Sequence, residues 1–296
     1  MSKPTTKIGF VGVGLMGHGM AANLLKAGYD LTVIAHRNRE PVDDLVSRGA
    51  REVKSLAEMA GTSNCIILCV TNADVVQSVI DELFDHLTSD HVIIDTSTSD
   101  PVVTETLASR LAATGVELAD APLTGGAQQA QEGVLGAIVG GTEETLARIK
   151  PVLEAFCVRI GHFGPAGAGH RAKLINNYLV MSMVASIADT FNVARKAGIE
   201  WAPLFDVMKC GSNYSEALRR IIEPALEGDL DGYKFTLRNA QKDVGYYLSF
   251  TDNAGLTSDL AREVMAVYER SVAEGHGDLF LSRMIDPETA GKDADT

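Results

Sequence analysis

The sequence feature that most constrains the fold is a glycine-rich segment close to the first residue. A short apolar run precedes Gly-Val-Gly-Leu-Met-Gly at residues 12–17, and an amphipathic helical pattern follows. This order predicts a buried strand, a tight turn at Gly12 and a helix that begins near Gly17. Gly14 would let the backbone approach a pyrophosphate, while Gly17 would let the helix pack closely on the strand. The segment therefore favours dinucleotide binding over an ordinary glycine-rich turn.

Strand-like apolar runs alternate with helical patterns through the first half of the chain. Continuous apolar strands separated by helices indicate a mostly parallel sheet that is covered on both faces. The sequence thus predicts an α/β Rossmann fold with a doubly wound sheet. The strand-like runs cover residues 8–11, 31–35, 65–70, 92–95, 116–119 and 135–139, and helical patterns cover residues 74–84, 101–113 and 143–156.

The pattern changes after the most glycine-dense segment of the chain, residues 161–169. A long helical pattern over residues 172–197 follows, and the remaining sequence is helical with short breaks. We therefore expect a Rossmann domain over residues 1–163 and an all-α domain over residues 164–296, with the boundary near Phe163.

Charge and composition exclude several classes of function. A net charge of −13 argues against nucleic-acid and anionic-membrane partners, because both require a basic surface. The longest uncharged stretch, residues 174–188, is too short and too polar to span a bilayer. The four cysteines have no histidines at zinc-binding spacing, so no metal site is expected. The sequence shows no signal peptide, and we expect a reduced protein in the cytoplasm.

A candidate carboxylate-binding segment follows the strand that covers residues 116–119. Residues 120–126 read Asp-Ala-Pro-Leu-Thr-Gly-Gly, at the carboxyl end of a strand, where ligands meet open α/β sheets. The Thr124 hydroxyl and the backbone N–H groups of Gly125 and Gly126 can donate hydrogen bonds to a carboxylate. The alternative is a structural turn with a capping threonine.

A candidate proton donor lies at the start of the long helical pattern. Lys173 and Asn177 are four residues apart and share a helix face, on a helix that is otherwise uncharged for 15 residues. Burying an ammonium group is costly unless it is paired, and such a lysine can give a proton to a carbonyl that becomes an alkoxide. A lysine that snorkels to the surface at the helix start is the alternative.

Two further segments carry weaker signals. Residues 95–98 read Asp-Thr-Ser-Thr and end a strand on the side where a cofactor would lie, although they also suit a cap for the helix that begins at Pro101. The adjacent pair Lys242 and Asp243 lies within a helical pattern, where such a pair is usually a solvated face.

Together these segments resemble the β-hydroxyacid dehydrogenase family, which includes 3-hydroxyisobutyrate dehydrogenases and tartronate semialdehyde reductases. The resemblance extends from the glycine-rich segment through residues 120–126, 132–135 and 169–177 to Lys242 and Asp243. It implies a Rossmann domain and an all-helical domain, joined by a long helix that carries Lys173, with the active site in the cleft between them. It also implies a homodimer or a homotetramer that forms through the helical domains.

The resemblance also implies roles for individual residues. Lys173 would protonate the carbonyl oxygen while the nicotinamide delivers hydride, or would take that proton back in oxidation. Asn177 would orient the lysine and the substrate, and the segment with Thr124, Gly125 and Gly126 would hold the substrate carboxylate. The positions that match cofactor contacts of the family, besides the glycines, are Leu15, Met16, Val70, Thr98 and Lys242.

The chain departs from the family pattern at three places. Thr124 stands where serine is common, which keeps the hydroxyl and adds a methyl group that could narrow the pocket. Val70 and Thr71 stand where the family commonly has Leu-Pro. Residues 120–126 lack an arginine, which argues against a sulfonate substrate of the kind that sulfolactaldehyde reductases use.

Cofactor choice depends on the end of the second strand. NAD-selective Rossmann domains place an acidic residue there, which binds the 2′-hydroxyl of the ribose. Here the segment reads His-Arg-Asn-Arg at residues 36–39, with no acid before Glu40. Arg37 and Asn38 therefore favour NADP(H) over NAD(H), because a guanidinium suits a 2′-phosphate. The segment is one residue longer than in the family, so Arg39 is an alternative to Arg37.

The expected activity is that of an NAD(P)-dependent oxidoreductase that interconverts a small 3-hydroxy acid and its semialdehyde. One alternative is imine reduction by a similar fold, although Lys173 argues against it because imine reductases usually replace this lysine. The other alternative is a non-catalytic NADP(H)-sensing protein. The intact lysine, asparagine and carboxylate-binding segment argue against that alternative.

Overall fold

The structure is a computed structural model, and it describes residues 6–289. The chain forms two compact units, which divide between Lys173 and Leu174. The domain boundary near Phe163 remains a prediction of the sequence.

The first unit contains a six-stranded, fully parallel sheet in the order β3-β2-β1-β4-β5-β6. The strand order reverses between β1 and β4, and this reversal creates a crevice at the carboxyl ends of the two strands. The six strands are β1 (Lys7–Val11), β2 (Asp30–Ile34), β3 (Arg51–Val53), β4 (Cys65–Leu68), β5 (Val92–Asp95) and β6 (Glu117–Asp120).

Helices connect the parallel strands and cover both faces of the sheet. Side-chain caps define several helix starts: Ser55, Asn72 and Thr142 each accept a hydrogen bond from a backbone N–H of the first turn. The helices of this unit are α1 (Gly17–Lys26), α2 (Glu40–Ser47), α3 (Leu56–Thr62), α4 (Ala73–Leu83), α5 (Pro101–Ala112), α6 (Ala127–Glu132) and α7 (Glu143–Leu153), and a 3₁₀ turn follows α4 at Phe84–His86.

A small second sheet extends this unit. It consists of β7 (Leu123–Thr124), β8 (Leu135–Val139) and β9 (Cys157–His162). The β7 strand runs antiparallel to β8 and places Thr124 opposite Gly136, while β9 runs parallel to β8.

The core of the first unit lies on both faces of the parallel sheet. Successive residues of one strand point to opposite faces, so Ile66 and Ile67 of β4 belong to different apolar clusters. Both are fully buried, as are Phe10 and Ile93 of the neighbouring strands. The continuous apolar strands of the sequence are therefore strands that are covered on both sides.

The second unit is helical. Its long first helix, α8, presents buried residues at spacings of three and four over residues 174–191, as the stripe of an amphipathic helix requires. Its core includes Phe191, Phe205 and Tyr268, and the Tyr268 hydroxyl donates to the Met181 carbonyl at 2.8 Å. The helices are α8 (Ala168–Lys196, which begins in the first unit), α9 (Trp201–Met208), α10 (Glu216–Leu226), α11 (Leu237–Asn253) and α12 (Asp259–Ser271), followed by short π and 3₁₀ helices at Val272–His276 and Leu281–Ile285.

The predicted fold class is confirmed: a Rossmann sheet precedes a helical region. The predicted strands occur within one or two residues of their expected ends, but the sequence predicted no strand at β3, β7 or β9. For β3 and β9, exposed polar residues explain this, because Arg51 and Glu52 of β3 and Arg159 of β9 face outward and break the apolar pattern. The β7 strand has only two residues. None of the described helices is long and apolar enough to cross a membrane.

Thiol reactivity tests the placement of the four cysteines. Burial raises the pKa of the Cys65 and Cys157 thiols to about 12 and that of Cys69 to about 11. Cys210 is exposed. Because the thiolate is the reactive form, a thiol reagent at pH 8 should label one site per native chain, and Cys210→Ser should abolish the labelling. Rapid labelling of a second cysteine in the native protein would contradict this packing.

Candidate active site

The glycine-rich turn combines two sterically required glycines with one that faces open space. Gly12 has a φ of +99°, and a Cβ there would lie 2.2 Å from the Cys69 carbonyl oxygen. A Cβ at Gly17 would lie 2.1 Å from the Gly12 carbonyl oxygen. A Cβ at Gly14 would meet no atom within 4 Å. Gly12 and Gly17 thus shape the turn, whereas Gly14 leaves room above it for a ligand.

The crevice at the strand-order reversal brings together the ends of three strands. Leu15, in the turn after β1, is 82% exposed, and Met16 next to it is half-buried. The Val70 N–H, after β4, donates to the Ser97 hydroxyl at 3.0 Å, so the turns after β4 and β5 are linked. Thr98 follows directly and is half-buried. The open side of the turn and these loop ends fit a dinucleotide pyrophosphate and nicotinamide.

The two arginines after β2 differ in their contacts. The Arg39 guanidinium donates to both carboxylate oxygens of Glu52, at 3.0 and 3.1 Å, and to Asp43 at 3.0 Å. Arg37 is exposed, and the Asn38 side chain accepts a hydrogen bond from the Glu40 N–H at 3.1 Å. Arg39 is therefore engaged by two carboxylates that a 2′-phosphate would have to displace.

The candidate carboxylate-binding segment lies on β7 and the turn after it. The Thr124 hydroxyl is 3.5 Å from the Gly136 carbonyl oxygen, a long contact that leaves it able to donate elsewhere. Gly125 has a φ of +110° and is exposed. The Gly126 N–H donates to the Gln129 side-chain oxygen at 2.9 Å, so a carboxylate at Gly126 must displace that amide. The sequence predicts both glycine N–H groups as donors, whereas in the structure the Gly126 N–H already has a partner.

Lys173 reaches the same segment from the first turns of α8. Its ammonium donates to the Leu123 carbonyl oxygen at 2.7 Å, and its side chain is half-buried. Leu123 directly precedes Thr124, so the ammonium group lies beside the candidate carboxylate-binding residues. A lysine that only snorkels to solvent would not make this contact with a backbone carbonyl.

A buried carboxylate fixes the start of α8. Asp120, at the end of β6, is fully buried, and its two oxygens accept from the Gly167 N–H at 2.7 Å and the His170 N–H at 2.6 Å. It therefore satisfies two N–H groups that a helix start leaves without intrahelical partners, where the helix dipole favours a negative charge. A Cβ at Gly169 would lie 2.4 Å from the Ile138 carbonyl oxygen. This close backbone approach explains part of the glycine density of this segment.

A second buried carboxylate, Asp95, lies next to Asp120 in the register of β5 and β6. It is 1% exposed, and one oxygen accepts from the Ser97 N–H at 2.9 Å. Burial raises the pKa of this carboxyl group, and Asp120 acts in the same direction, while His170 opposes the shift. Sequence reasoning assigned Asp95 no separate role, because its surroundings come from distant parts of the chain.

Asn177 lies one turn after Lys173 on α8 and is held by a residue of α11. Its amide donates to Asp243 at 2.7 Å, and both side chains are buried. Lys242 forms an ion pair with the other Asp243 oxygen at 2.9 Å and lies 5.0 Å from the centre of the Tyr246 ring. The expectation of a solvated Lys-Asp face is wrong for Asp243, which is 2% exposed. Asp243 anchors Asn177 and Lys242, a role that its sequence position did not show.

Two protein-family models, both of nicotinamide-dependent dehydrogenases, match most of the chain. Residues 7–164 match the model of the NAD-binding domain of 6-phosphogluconate dehydrogenase. Residues 167–287 match the model described as the NAD-binding domain of NADP-dependent 3-hydroxyisobutyrate dehydrogenase. The chain belongs to the β-hydroxyacid dehydrogenase family of nicotinamide-dependent oxidoreductases.

Individual relatives align over nearly the whole chain. A 3-hydroxyisobutyrate dehydrogenase of Pseudomonas aeruginosa is 34% identical over 291 residues, covering 94% of this chain and 97% of that protein. A 3-sulfolactaldehyde reductase of Escherichia coli is 30% identical and covers 91% of each chain. The structure of Mycobacterium tuberculosis 3-hydroxyisobutyrate dehydrogenase with L-serine has a TM-score of 0.85 at 28% identity, covering 95% of this chain and 98% of that one.

Two substitutions in the glycine-rich turn should affect cofactor binding and folding stability differently. Gly14→Val places its side chain in open space, so the melting temperature should stay within a few degrees, while cofactor affinity should fall about tenfold or more because the pyrophosphate loses its close approach. Gly12→Ala forces a steric clash at positive φ and should lower the melting temperature.

Fluorescence titration with NADPH and with NADH, alongside thermal unfolding, measures both effects. Wild-type affinity for both cofactors in Gly14→Val would show that the pyrophosphate binds elsewhere.

Proposed function

We propose that the protein interconverts a small 3-hydroxy acid and its semialdehyde, with Lys173 as the group that exchanges a proton with the substrate oxygen. The observation that carries the proposal is the 2.7 Å contact between the Lys173 ammonium and the Leu123 carbonyl, beside Thr124. This contact supports the proposal because an ammonium group can donate a proton and the adjacent Thr124 and Gly125 can donate hydrogen bonds to a carboxylate, all within one compact unit.

The substrate carboxylate binds at Thr124 and Gly125. The Thr124 hydroxyl makes only a 3.5 Å contact within the protein, so it is available as a donor. The Gly125 backbone adopts a φ of +110°, which only glycine takes up readily, and this turn exposes its peptide group. The methyl group of Thr124 narrows this end of the site compared with serine.

The proton step belongs to Lys173. Bound nicotinamide supplies or accepts the hydride. In reduction, the Lys173 ammonium gives a proton to the carbonyl oxygen as that oxygen gains negative charge, and in oxidation the neutral amine removes the proton of the hydroxyl group. The Leu123 carbonyl holds the ammonium in place before the substrate binds. Asn177 lies on the same helix face as Lys173, one turn further along the helix. Its side-chain amide donates to Asp243 at 2.7 Å, which fixes its orientation.

The names of the relatives support a particular substrate class. They include dehydrogenases of 3-hydroxyisobutyrate and of 2-(hydroxymethyl)glutarate, and one solved relative carries L-serine in its title. All three compounds contain a primary alcohol on the carbon next to the one that bears a carboxylate. We expect the same HOCH2–CH–COO⁻ unit in the substrate of this protein.

Replacement of Lys173 tests the proton-transfer role. Lys173→Ala should lower kcat by about 100-fold or more, the usual contribution of general acid–base catalysis, and should leave cofactor affinity nearly unchanged. The matched control is Lys196→Ala, which removes an exposed lysine from the last turn of the same helix. Steady-state kinetics with the best substrate from a panel of 3-hydroxy acids and semialdehydes measures both. A Lys173→Ala enzyme with most of the wild-type kcat would refute the role.

We also propose that the enzyme prefers NADP(H) and that Arg37 contacts the 2′-phosphate. The proposal is supported by the exposure of Arg37, by the absence of an acidic residue between the end of β2 and Glu40, and by the engagement of Arg39 with Glu52 and Asp43. Arg37→Ala should therefore raise KM for NADPH by about one order of magnitude or more, since charge-assisted hydrogen bonds contribute about 1.5–3 kcal/mol. KM for NADH should stay within about twofold, because NADH lacks the phosphate.

Arg39→Ala is the matched control for this substitution. It removes the neighbouring guanidinium, whose contacts are to carboxylates, and should change the NADPH-to-NADH ratio little. Higher salt should shrink the effect of Arg37→Ala, because ions screen the wild-type contact. An unchanged cofactor ratio in both variants and in the double variant would favour NAD(H) instead.

A further inference from the structure

His170 is a fully buried histidine whose two ring nitrogens both have partners in the first unit. Its Nε2 lies 3.0 Å from the Ser97 carbonyl oxygen, just beyond β5. Its Nδ1 lies 2.9 Å from the Thr104 hydroxyl of α5. A carbonyl oxygen only accepts, so Nε2 is the donor of its bond. The ring thus bridges the first turn of α8 to two elements that are distant in sequence.

The backbone of the same residue is tied to a third element. The His170 N–H donates to Asp120 at the end of β6 at 2.6 Å. Asp120 and Asp95 also flank the ring, with carboxylate oxygens 3.7 and 3.9 Å from its nitrogens. Both the backbone and the side chain of His170 therefore fix the position and rotation of the first turn of α8.

Lys173 follows His170 by three residues, which is less than one helical turn. Its side chain is a flexible four-carbon stem, so the place of its ammonium depends on where the helix holds its Cα and on the Leu123 contact. A small rotation or shift of this turn would move the ammonium away from Leu123 and Thr124. A misplacement of about 1 Å at a catalytic group can cost about 100-fold in rate.

We propose that His170 is a positioning residue for Lys173, acting through its hydrogen bonds to the Ser97 carbonyl and the Thr104 hydroxyl. The inference rests on the proposed function, because it assumes that the Lys173 ammonium takes part in turnover. His170 itself is buried and is not proposed to touch substrate or cofactor. Its role is to set the orientation of the helical turn that presents the lysine.

Three substitutions distinguish the effect of the His170 hydrogen bonds from the effect of its side-chain volume. His170→Leu fills a similar space without a donor, His170→Gln restores an N–H that can reach the Ser97 carbonyl, and Thr104→Val removes the other partner. His170→Leu should lower kcat by about 10- to 100-fold with the KM values for substrate and cofactor within about twofold, because position rather than binding is lost. His170→Gln should recover most of kcat, and Thr104→Val should lower it by a smaller factor.

Arg171→Gln is the matched control. It lies in the same turn and pairs with Glu105 of α5 at the partly exposed surface. It should leave kcat within about twofold of wild type, since partly exposed ion pairs contribute little. Thermal unfolding of every variant shows whether the fold is retained. If His170→Leu does not fold, Thr104→Val carries the test.

The decisive experiment measures kcat of the same substitutions when they are combined with Lys173→Ala. If His170 acts through Lys173, His170→Leu and Thr104→Val should have no further effect on kcat there, and a crystal structure of a folded variant should show the Lys173 ammonium displaced from Leu123.

Full kcat in both single variants, or equal losses with and without Lys173, would overturn the inference while leaving the proposed function intact. Full activity of Lys173→Ala alone would overturn both.

Discussion

The rest of the site depends on the contact between the buried carboxylate of Asp120 and the first backbone N–H groups of α8. This single side chain, at the end of a strand of the parallel sheet, accepts from Gly167 and His170 at 2.7 and 2.6 Å. It fixes where the longest helix of the protein begins. The chain then turns through residues 121–124, and the Leu123 carbonyl of this segment receives the Lys173 ammonium. One strand end therefore places both the helix start and the acceptor of its lysine.

Local sequence predicted much of this architecture because its causes are local. The alternation of apolar runs and helical patterns is enough to predict a parallel sheet with helices on both faces. The glycine spacing at residues 12–17 predicts a tight turn. The structure gives the reason for each glycine, since Gly12 and Gly17 have no room for a Cβ while Gly14 faces open space. The family resemblance assigned Lys173 to proton transfer and Thr124 to carboxylate binding in one active site. The structure adds the contact between Lys173 and Leu123, the residue before Thr124.

Most of the contacts that the sequence did not predict join distant residues. His170 reaches Ser97 and Thr104, which lie 73 and 66 positions away, and no local pattern records such a pairing. Asp243 was expected on a solvated face because an adjacent Lys-Asp pair usually is one, but it lies buried against Asn177. Gln129 takes the Gly126 N–H because a six-residue helix returns its side chain to its own start. Tertiary packing decides which donor and acceptor meet at His170 and Asp243, whereas the Gly126–Gln129 bond is local to one short helix.

We propose that a carboxylate bound at Thr124 and Gly125 brings the reacting oxygen of the substrate to the Lys173 ammonium. A crystal structure with NADP⁺ and a poorly reactive 3-hydroxy acid tests it most directly. We expect the 3-hydroxyl oxygen within about 3.2 Å of Lys173 Nζ, the reach that proton transfer requires, and the carboxylate hydrogen-bonded to the Thr124 hydroxyl. A ligand whose carboxylate lies elsewhere, or whose hydroxyl group is too far from Lys173 for a direct or water-bridged hydrogen bond, would contradict it.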